Sequence, residues 1–129
     1  MASVALVASL ALLLYMGIVM STGRARGRYK VEAPATTGHP IFERHFRVQQ
    51  NTVEQLVVFF PALFLFAQYT SEGLAAILGL AFVAGRVLYA IGYVADPARR
   101  GPGFLISSLA NLVLIVGALF GSIRALLAG

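Results

Sequence analysis

The chain has 129 residues, of which 59% are hydrophobic and 12% are charged, and its formal net charge is +5. An average soluble domain carries roughly 25% charged residues, so this chain has too few polar groups to cover a folded body in water. It contains no cysteine, which excludes disulfides, thiolate metal ligands and a cysteine nucleophile. The positive charge alone would fit a nucleic-acid-binding protein, but the apolar content favours a membrane protein with cationic loops and no nucleic-acid partner.

Four apolar stretches are long enough, or nearly so, to cross the roughly 30 Å hydrocarbon layer of a bilayer as helices. We predict these spans at residues 2–22, 47–71, 73–95 and 101–123 of a single domain that covers residues 1–129. The first span has no basic segment before its apolar run, so we interpret it as an uncleaved helix and not as a signal peptide. The sequence therefore predicts an all-α integral membrane protein folded as a four-helix bundle.

Basic residues are distributed unevenly over the predicted loops. Eight of the ten lysine and arginine residues lie in or beside loops 23–46 and 96–102, whereas Arg124 lies on the opposite side. The positive-inside rule places such loops in the cytoplasm, so we expect both termini outside, and the short loops suit a bacterial inner membrane. The connection at residues 71–73 is so short that the second and third spans must form an antiparallel hairpin.

Polar residues form one stripe along the second span and another along the third. The stripes are Arg47, Asn51 and Glu54 in the second span and Arg86, Tyr89 and Tyr93 in the third. Within each stripe the spacing puts the side chains on one helix face. A hairpin turn centred on Glu72 predicts that the stripes meet, with Asn51 level with Tyr93. Because a charge in hydrocarbon costs roughly 2.5–3.5 kcal/mol, we expect Glu54 and Arg86 to face the bundle interior and to pair.

This number of converging polar groups predicts a binding cavity, although an ion pair that only fixes the helix register is the alternative. Guanidinium groups bind carboxylates through two parallel hydrogen bonds, and Glu54 offers a partner for an ammonium group. The predicted ligand is therefore a small zwitterion with several carboxylates, and a hydrophobic co-substrate would arrive from the bilayer. No spacing of histidines and carboxylates supports a metal site.

The polar segments 42–54 (FERHFRVQQNTVE) and 86–100 (RVLYAIGYVADPARR) resemble the MAPEG family, the membrane-associated proteins of eicosanoid and glutathione metabolism. Within this family the chain most resembles the microsomal glutathione transferases, and the resemblance covers nearly the whole chain. It implies a homotrimer of four-helix protomers that binds glutathione, as a co-substrate, between neighbouring subunits near the cytoplasmic face. Gly117 and Gly121 have the spacing of small residues at helix contacts and are a candidate oligomer contact.

The resemblance also implies roles for individual residues. Arg100 matches the arginine that holds the glutathione thiolate, and Arg99 takes its place if the alignment slips by one residue. The positions that match glutathione contacts are Arg26, Arg47, Gln49, Asn51, Glu54, Arg86, Tyr89 and Tyr93. Gln55 and Gly27 depart from the leukotriene-forming relatives, which carry a tyrosine and a second arginine there, and this departure argues against leukotriene synthesis.

The implied function is that of a membrane glutathione transferase, with a possible glutathione peroxidase activity, acting on lipophilic electrophiles dissolved in the bilayer. No metal is required, because a nearby guanidinium stabilises the thiolate and lowers the pKa of the thiol. Two alternatives remain open at this point. One is a non-enzymatic lipid-binding member of the family, and the other is a small four-span drug/proton exchanger that uses Glu54 as its coupling carboxylate.

Overall fold

The computed structural model describes all 129 residues and contains helices but no strand. The four long helices are α1 (Ala2–Arg28), α2 (Pro40–Tyr69), α3 (Glu72–Ala95) and α4 (Gly101–Ala128), and a short 3₁₀ helix, Pro97–Arg100, precedes α4. All four helices are long and apolar enough to cross a bilayer. The structure thus confirms the all-α membrane bundle that the sequence predicts.

The helices continue beyond the apolar stretches at the arginine-rich end. α1 runs past residue 22 to Arg28, and α2 begins at Pro40, well before residue 47. We call this end, where α1 and α3 end and α2 and α4 begin, the basic end of the bundle. Because both polar segments are helical, Arg26 and Arg47 are held on rigid elements and not on loops.

Side-chain caps fix where α2 and α3 begin. His39 precedes α2, and its Nδ1 accepts a hydrogen bond of 3.1 Å from the backbone N–H of Ile41. Pro40 occupies the first turn of α2, where a missing N–H costs nothing. Ser71 caps α3 in the same manner, because its hydroxyl accepts from the N–H of Leu74 at 3.2 Å.

The hairpin between α2 and α3 sets the relative height of their polar residues. Its turn lies at Thr70 and Ser71, because Glu72 is already the first residue of α3. Asn51 consequently donates to the hydroxyl of Tyr89 at 2.6 Å. The polar stripes do meet, but the predicted level of Asn51 was wrong by about one turn of α3.

Away from the basic end, aromatic rings and glycines hold the helices together. Phe59 of α2 and Phe82 of α3 are fully buried and stack with their ring centroids 4.0 Å apart. A Cβ on Gly117 of α4 would lie 2.1 Å from the ring of Phe66, and a Cβ on Gly121 would lie 2.5 Å from the backbone oxygen of Tyr69 at the end of α2. These glycines therefore serve contacts between α2 and α4 within the chain.

Glycines also bring α4 close to α3 near the basic end. A Cβ on Gly103 would lie 2.2 Å from the backbone nitrogen of Tyr89, and a Cβ on Gly85 would lie 2.8 Å from that of Ser107. Because only a hydrogen atom fits at either position, α4 can approach α3 closely enough for Ser107 to reach Arg86. The close backbone packing thus positions Ser107 for its hydrogen bond with Arg86.

Candidate functional site

A polar cleft of about 450 Å³ opens between α2, α3 and the start of α4 at the basic end. Its lining comprises Arg47, Asn51, Glu54, Gln55, Arg86, Tyr89, Tyr93, Arg100 and Phe104. Three arginines face one carboxylate, so the cleft is cationic. The structure brings together here every predicted site residue except Arg26 and Gln49.

Arg86 forms the base of the cleft and is 1% exposed. Its Nη2 donates to the hydroxyl of Thr52 at 2.9 Å, and its Nη1 donates to the hydroxyl of Ser107 at 3.3 Å. The guanidinium carbon lies 4.0 Å from the ring centroid of Tyr89, which adds a cation–π contact. Residues from α2, α3 and α4 therefore fix the orientation of a single guanidinium.

The predicted ion pair between Glu54 and Arg86 is wrong. The one ion pair in the chain joins the amino group of Met1 to Glu72, 2.6 Å away, near the other end of the bundle. The hydroxyl oxygens of Thr52 and Ser107 accept hydrogen bonds from Arg86, so no carboxylate has to lose its hydration to satisfy the guanidinium. Glu54 consequently lines the cleft with no cation of its own chain bound to it.

Tyr89 and Tyr93 form the α3 wall of the cleft, with their ring centroids 5.6 Å apart. The oxygen of Tyr89 accepts a hydrogen bond from Nδ2 of Asn51 at 2.6 Å. A phenol that accepts in this way keeps its own O–H free to donate. The pair thus presents a fixed donor beside the guanidinium of Arg86.

An amide pair closes the cleft on the α4 side. Nδ2 of Asn111 donates to the backbone carbonyl of Gln55 at 3.4 Å and to its Oε1 at 3.0 Å. Because a backbone carbonyl can only accept, the contact identifies the asparagine nitrogen, and the glutamine oxygen beside it follows. The NH₂ group of Gln55 is therefore the end of this side chain left to face a ligand.

Arg100 lines the cleft from the 3₁₀ helix, where its Nη1 donates to the carbonyl of Pro97 at 2.9 Å. Arg99 is exposed and does not line the cleft. Its carbonyl packs so closely on α3 that a Cβ on Gly92 would lie 2.8 Å from it. Of these two adjacent arginines, only Arg100 therefore contributes to the cleft.

Arg26 and Gln49 lie elsewhere. Nη1 of Arg26 donates to the carbonyls of Val31 and Ala35 at 3.2 and 2.7 Å, and its guanidinium carbon is 4.7 Å from the ring centroid of Phe42. Gln49 is two residues from Asn51 on α2, which at 3.6 residues per turn places it roughly 160° round the helix. Neither side chain reaches the cleft of its own chain.

The sequence pattern did not predict four residues of the site region: Thr52, Phe104, Ser107 and Asn111. Thr52 and Ser107 are small and common in membrane helices, so their pattern gave no signal. Asn111 did give one, because it is a single amide within an otherwise apolar span. A buried amide in lipid needs a hydrogen-bond partner, and Gln55 supplies it.

The fold and the cleft define an integral membrane protein with a cationic binding site near one end of a helical bundle. A family model described as the MAPEG family matches residues 4–120. The chain is 50% identical over 115 residues to an uncharacterised protein of Synechocystis sp., covering 89% of this chain and 84% of the other. It is 42% identical over 101 residues to "Microsomal glutathione S-transferase 2" of Homo sapiens, covering 78% and 69% respectively. It is 34% identical over 120 residues to "Leukotriene C4 synthase" of Cavia porcellus, covering 93% and 80%. The chain belongs to the MAPEG family, which confirms the resemblance seen in the sequence.

Proposed function

We propose that this chain is a membrane glutathione transferase that conjugates the glutathione thiolate to lipophilic electrophiles from the bilayer. The observation that carries the proposal is the cleft, in which three arginines and an unpaired glutamate converge. Glutathione has two carboxylates, one ammonium group and a thiol. The arginines suit the carboxylates, and Glu54 suits the ammonium group.

Arg100 is proposed to hold the thiolate. A free thiol has a pKa of about 8.5, and only its anion is the nucleophile. A guanidinium within hydrogen-bond reach favours the anion, and Arg100 places one in the lining of the cleft. The thiolate then attacks the electrophilic carbon, a C–S bond forms, and the leaving group departs or an opened epoxide oxygen takes up a proton. With a hydroperoxide the thiolate attacks the terminal oxygen, the O–O bond breaks and the alkoxide leaves as an alcohol after protonation. A second glutathione thiol then reduces the resulting sulfenic acid, which yields the disulfide and water.

The test is the Arg100→Ala variant with a chromogenic aryl halide as electrophile. Loss of one charge-stabilising donor should lower kcat by about 100-fold. Calorimetry should find glutathione binding nearly unchanged. The rate should also keep rising with pH up to about 8.5, the pKa of the free thiol, whereas the wild-type rate levels off at lower pH.

The Arg99→Ala variant is the matched control, because it removes the neighbouring charge outside the cleft. Unchanged turnover in Arg100→Ala would refute the thiolate role. Absence of any heat or thermal stabilisation on adding glutathione to the wild-type protein would instead favour the lipid-binding alternative. Gln55 and Gly27 still separate this chain from the leukotriene-forming pattern, so general conjugation is the proposed activity.

We further propose that a second copy of the chain completes each site, within the homotrimer that the family resemblance implies. Arg26 and Gln49 support this arrangement, because both match glutathione contacts although neither lies in the cleft of its own chain. Mixing two impaired variants provides a test. Random co-assembly of Arg26→Ala with Arg100→Ala should restore activity to about a quarter of wild type if each site draws on two chains. A site built from one chain would give no recovery.

The proposed orientation places the cleft on the cytoplasmic side of a bacterial inner membrane, with both termini outside. The chain has no cysteine, so single cysteines can report the side of each loop. An impermeant maleimide added to intact cells should label Gly73→Cys, in the first turn of α3 beside the hairpin, and should spare Glu32→Cys, at the basic end. Labelling of Glu32→Cys would reverse the orientation.

A further inference from the structure

Two adjoining cavities lie at the basic end, and neither shares a residue with the cleft. One is an apolar groove of about 370 Å³ between α1, α2 and α3, with walls that include Ile18, Val48 and Ile91. The other is a basic recess of about 210 Å³ around the last turns of α1. Ser21 and His45 line both cavities, so the groove and the recess adjoin.

The recess contains two arginines that the protein leaves free. Arg24 and Arg28 are one helical turn apart on α1, so they share a face. Neither forms an ion pair or donates to an acceptor of the protein, and Arg28 only lies beside a tyrosine ring, 5.6 Å from its centroid. By contrast, Arg26 binds two loop carbonyls, and Arg44 donates to the last carbonyls of α3 at 3.1 and 3.3 Å. The guanidinium groups of Arg24 and Arg28 are therefore available to an anion from outside the chain.

We propose that the recess and the groove together bind an anionic phospholipid. The phosphate would lie between Arg24 and Arg28, because guanidinium groups bind phosphate with several parallel hydrogen bonds. An acyl chain would occupy the groove, whose lining is mostly hydrophobic. Basic pockets between membrane helices at the cytoplasmic surface are suited to such headgroups. A soluble phosphate has no use for the apolar groove, so the combined shape favours a lipid.

The experiment measures lipids that stay bound to the purified full chain in native mass spectra. The protein is first equilibrated with vesicles of equal parts dioleoyl phosphatidylglycerol and dioleoyl phosphatidylcholine. Wild type should retain the anionic lipid in clear excess, and inorganic phosphate should not displace it. Each of Arg24→Gln and Arg28→Gln should weaken the retention about fivefold, and Arg28→Lys should keep most of it.

A matched double variant removes the same charge from the same end of the bundle. Lys30→Asn with Arg99→Gln alters two exposed cations that line neither cavity, and asparagine tolerates the positive φ of 56° at position 30. This control should retain the anionic lipid like wild type, whereas Arg24→Gln with Arg28→Gln should lose the preference. An equal loss in both doubles, or no preference in wild type, would overturn the proposal.

The groove is tested by filling it. Ala90→Leu places a larger side chain within it, and Ala84→Leu adds the same bulk to an exposed position nearer the hairpin on α3. Ala90→Leu should reduce the number of bound lipids at least about threefold, and Ala84→Leu should not. If Ala90→Leu instead changes the oligomeric mass while the lipid count stays constant, a second copy of the chain occupies the groove and the proposal is wrong. These experiments measure bound lipid and not transferase turnover, so failure of one proposal can be distinguished from failure of the other.

Discussion

α2 and α3 contact each other in both halves of the bundle, but by different means. Near the basic end, Asn51 donates to Tyr89 at 2.6 Å and Arg86 donates to Thr52 at 2.9 Å. In the other half, the rings of Phe59 and Phe82 stack at 4.0 Å with no polar group. Helices in lipid associate well by close packing alone, so stability does not require the polar contacts. Their cost of insertion therefore points to a ligand at that end.

The largest effect should come from replacing Arg86 by an uncharged side chain of similar length, which tests whether the polar contacts serve a ligand and not stability. In the proposed transferase reaction, Arg86→Met should lower kcat/KM for glutathione by about 100-fold, because the base of the cleft loses its fixed guanidinium. Thermal stability should change little, since replacing a buried charge by an apolar group of similar volume is often neutral. Steady-state kinetics and a thermal unfolding series in detergent measure the two effects.

The variant Arg86→Lys separates geometry from charge. A lysine cannot bridge Thr52 and Ser107 as the forked guanidinium does, so kcat/KM should stay low even though the charge is kept. Full activity of Arg86→Lys would show that charge alone matters. Wild-type kinetics combined with a large loss of stability in Arg86→Met would make this contact a purely structural one.

The opposite result is expected in the apolar half. Phe59→Ala removes a fully buried ring that stacks on Phe82 and leaves a cavity behind. The free energy of unfolding should fall by about 2 kcal/mol, mainly from the cavity, because the unfolded helices also remain in an apolar medium. The KM for glutathione should not change. A raised KM in Phe59→Ala would mean that the two halves are coupled.

The sequence predicted the bundle and most of the cleft because the bilayer restricts which segments can span it and where polar side chains can lie. Length and apolarity decide which segments span, and helical spacing alone groups Arg47 with Asn51 and Arg86 with Tyr89. Seven of the predicted site residues line the cleft as a consequence. The signal is strong here because a polar side chain within an apolar helix is rare and costly.

Partner choice between neighbouring side chains could not be predicted. Glu54 and Arg86 have opposite charges at similar depth, yet Thr52 satisfies Arg86, because its position on α2 turns its hydroxyl into the bundle. The relative height of α2 and α3 depended on the turn, and a shift of its centre to Thr70 and Ser71 moved the contact of Asn51 by a helical turn. Such details depend on rotations of a few tens of degrees, which periodicity does not resolve.

The smallest expected effect concerns the amide pair at the boundary between the two halves. Asn111 orients Gln55 through its two hydrogen bonds, so that the glutamine NH₂ faces the cleft. Asn111→Leu keeps the volume but lets the glutamine rotate, and the KM for glutathione should rise about fivefold with kcat unchanged. Ser108→Ala is the control on α4, because the hydroxyl that it removes is buried without a partner.

A double-mutant cycle shows whether Asn111 acts through Gln55. Gln55→Leu alone should raise the KM about as much as Asn111→Leu, since either change removes the fixed donor. If the asparagine serves only to position the glutamine, the double variant should be no worse than either single one. Additive effects would instead mean that Asn111 touches the ligand itself, through the Oδ1 that has no partner in the chain. The polar half would then extend one residue layer deeper toward the stacked phenylalanines than the cleft lining indicates.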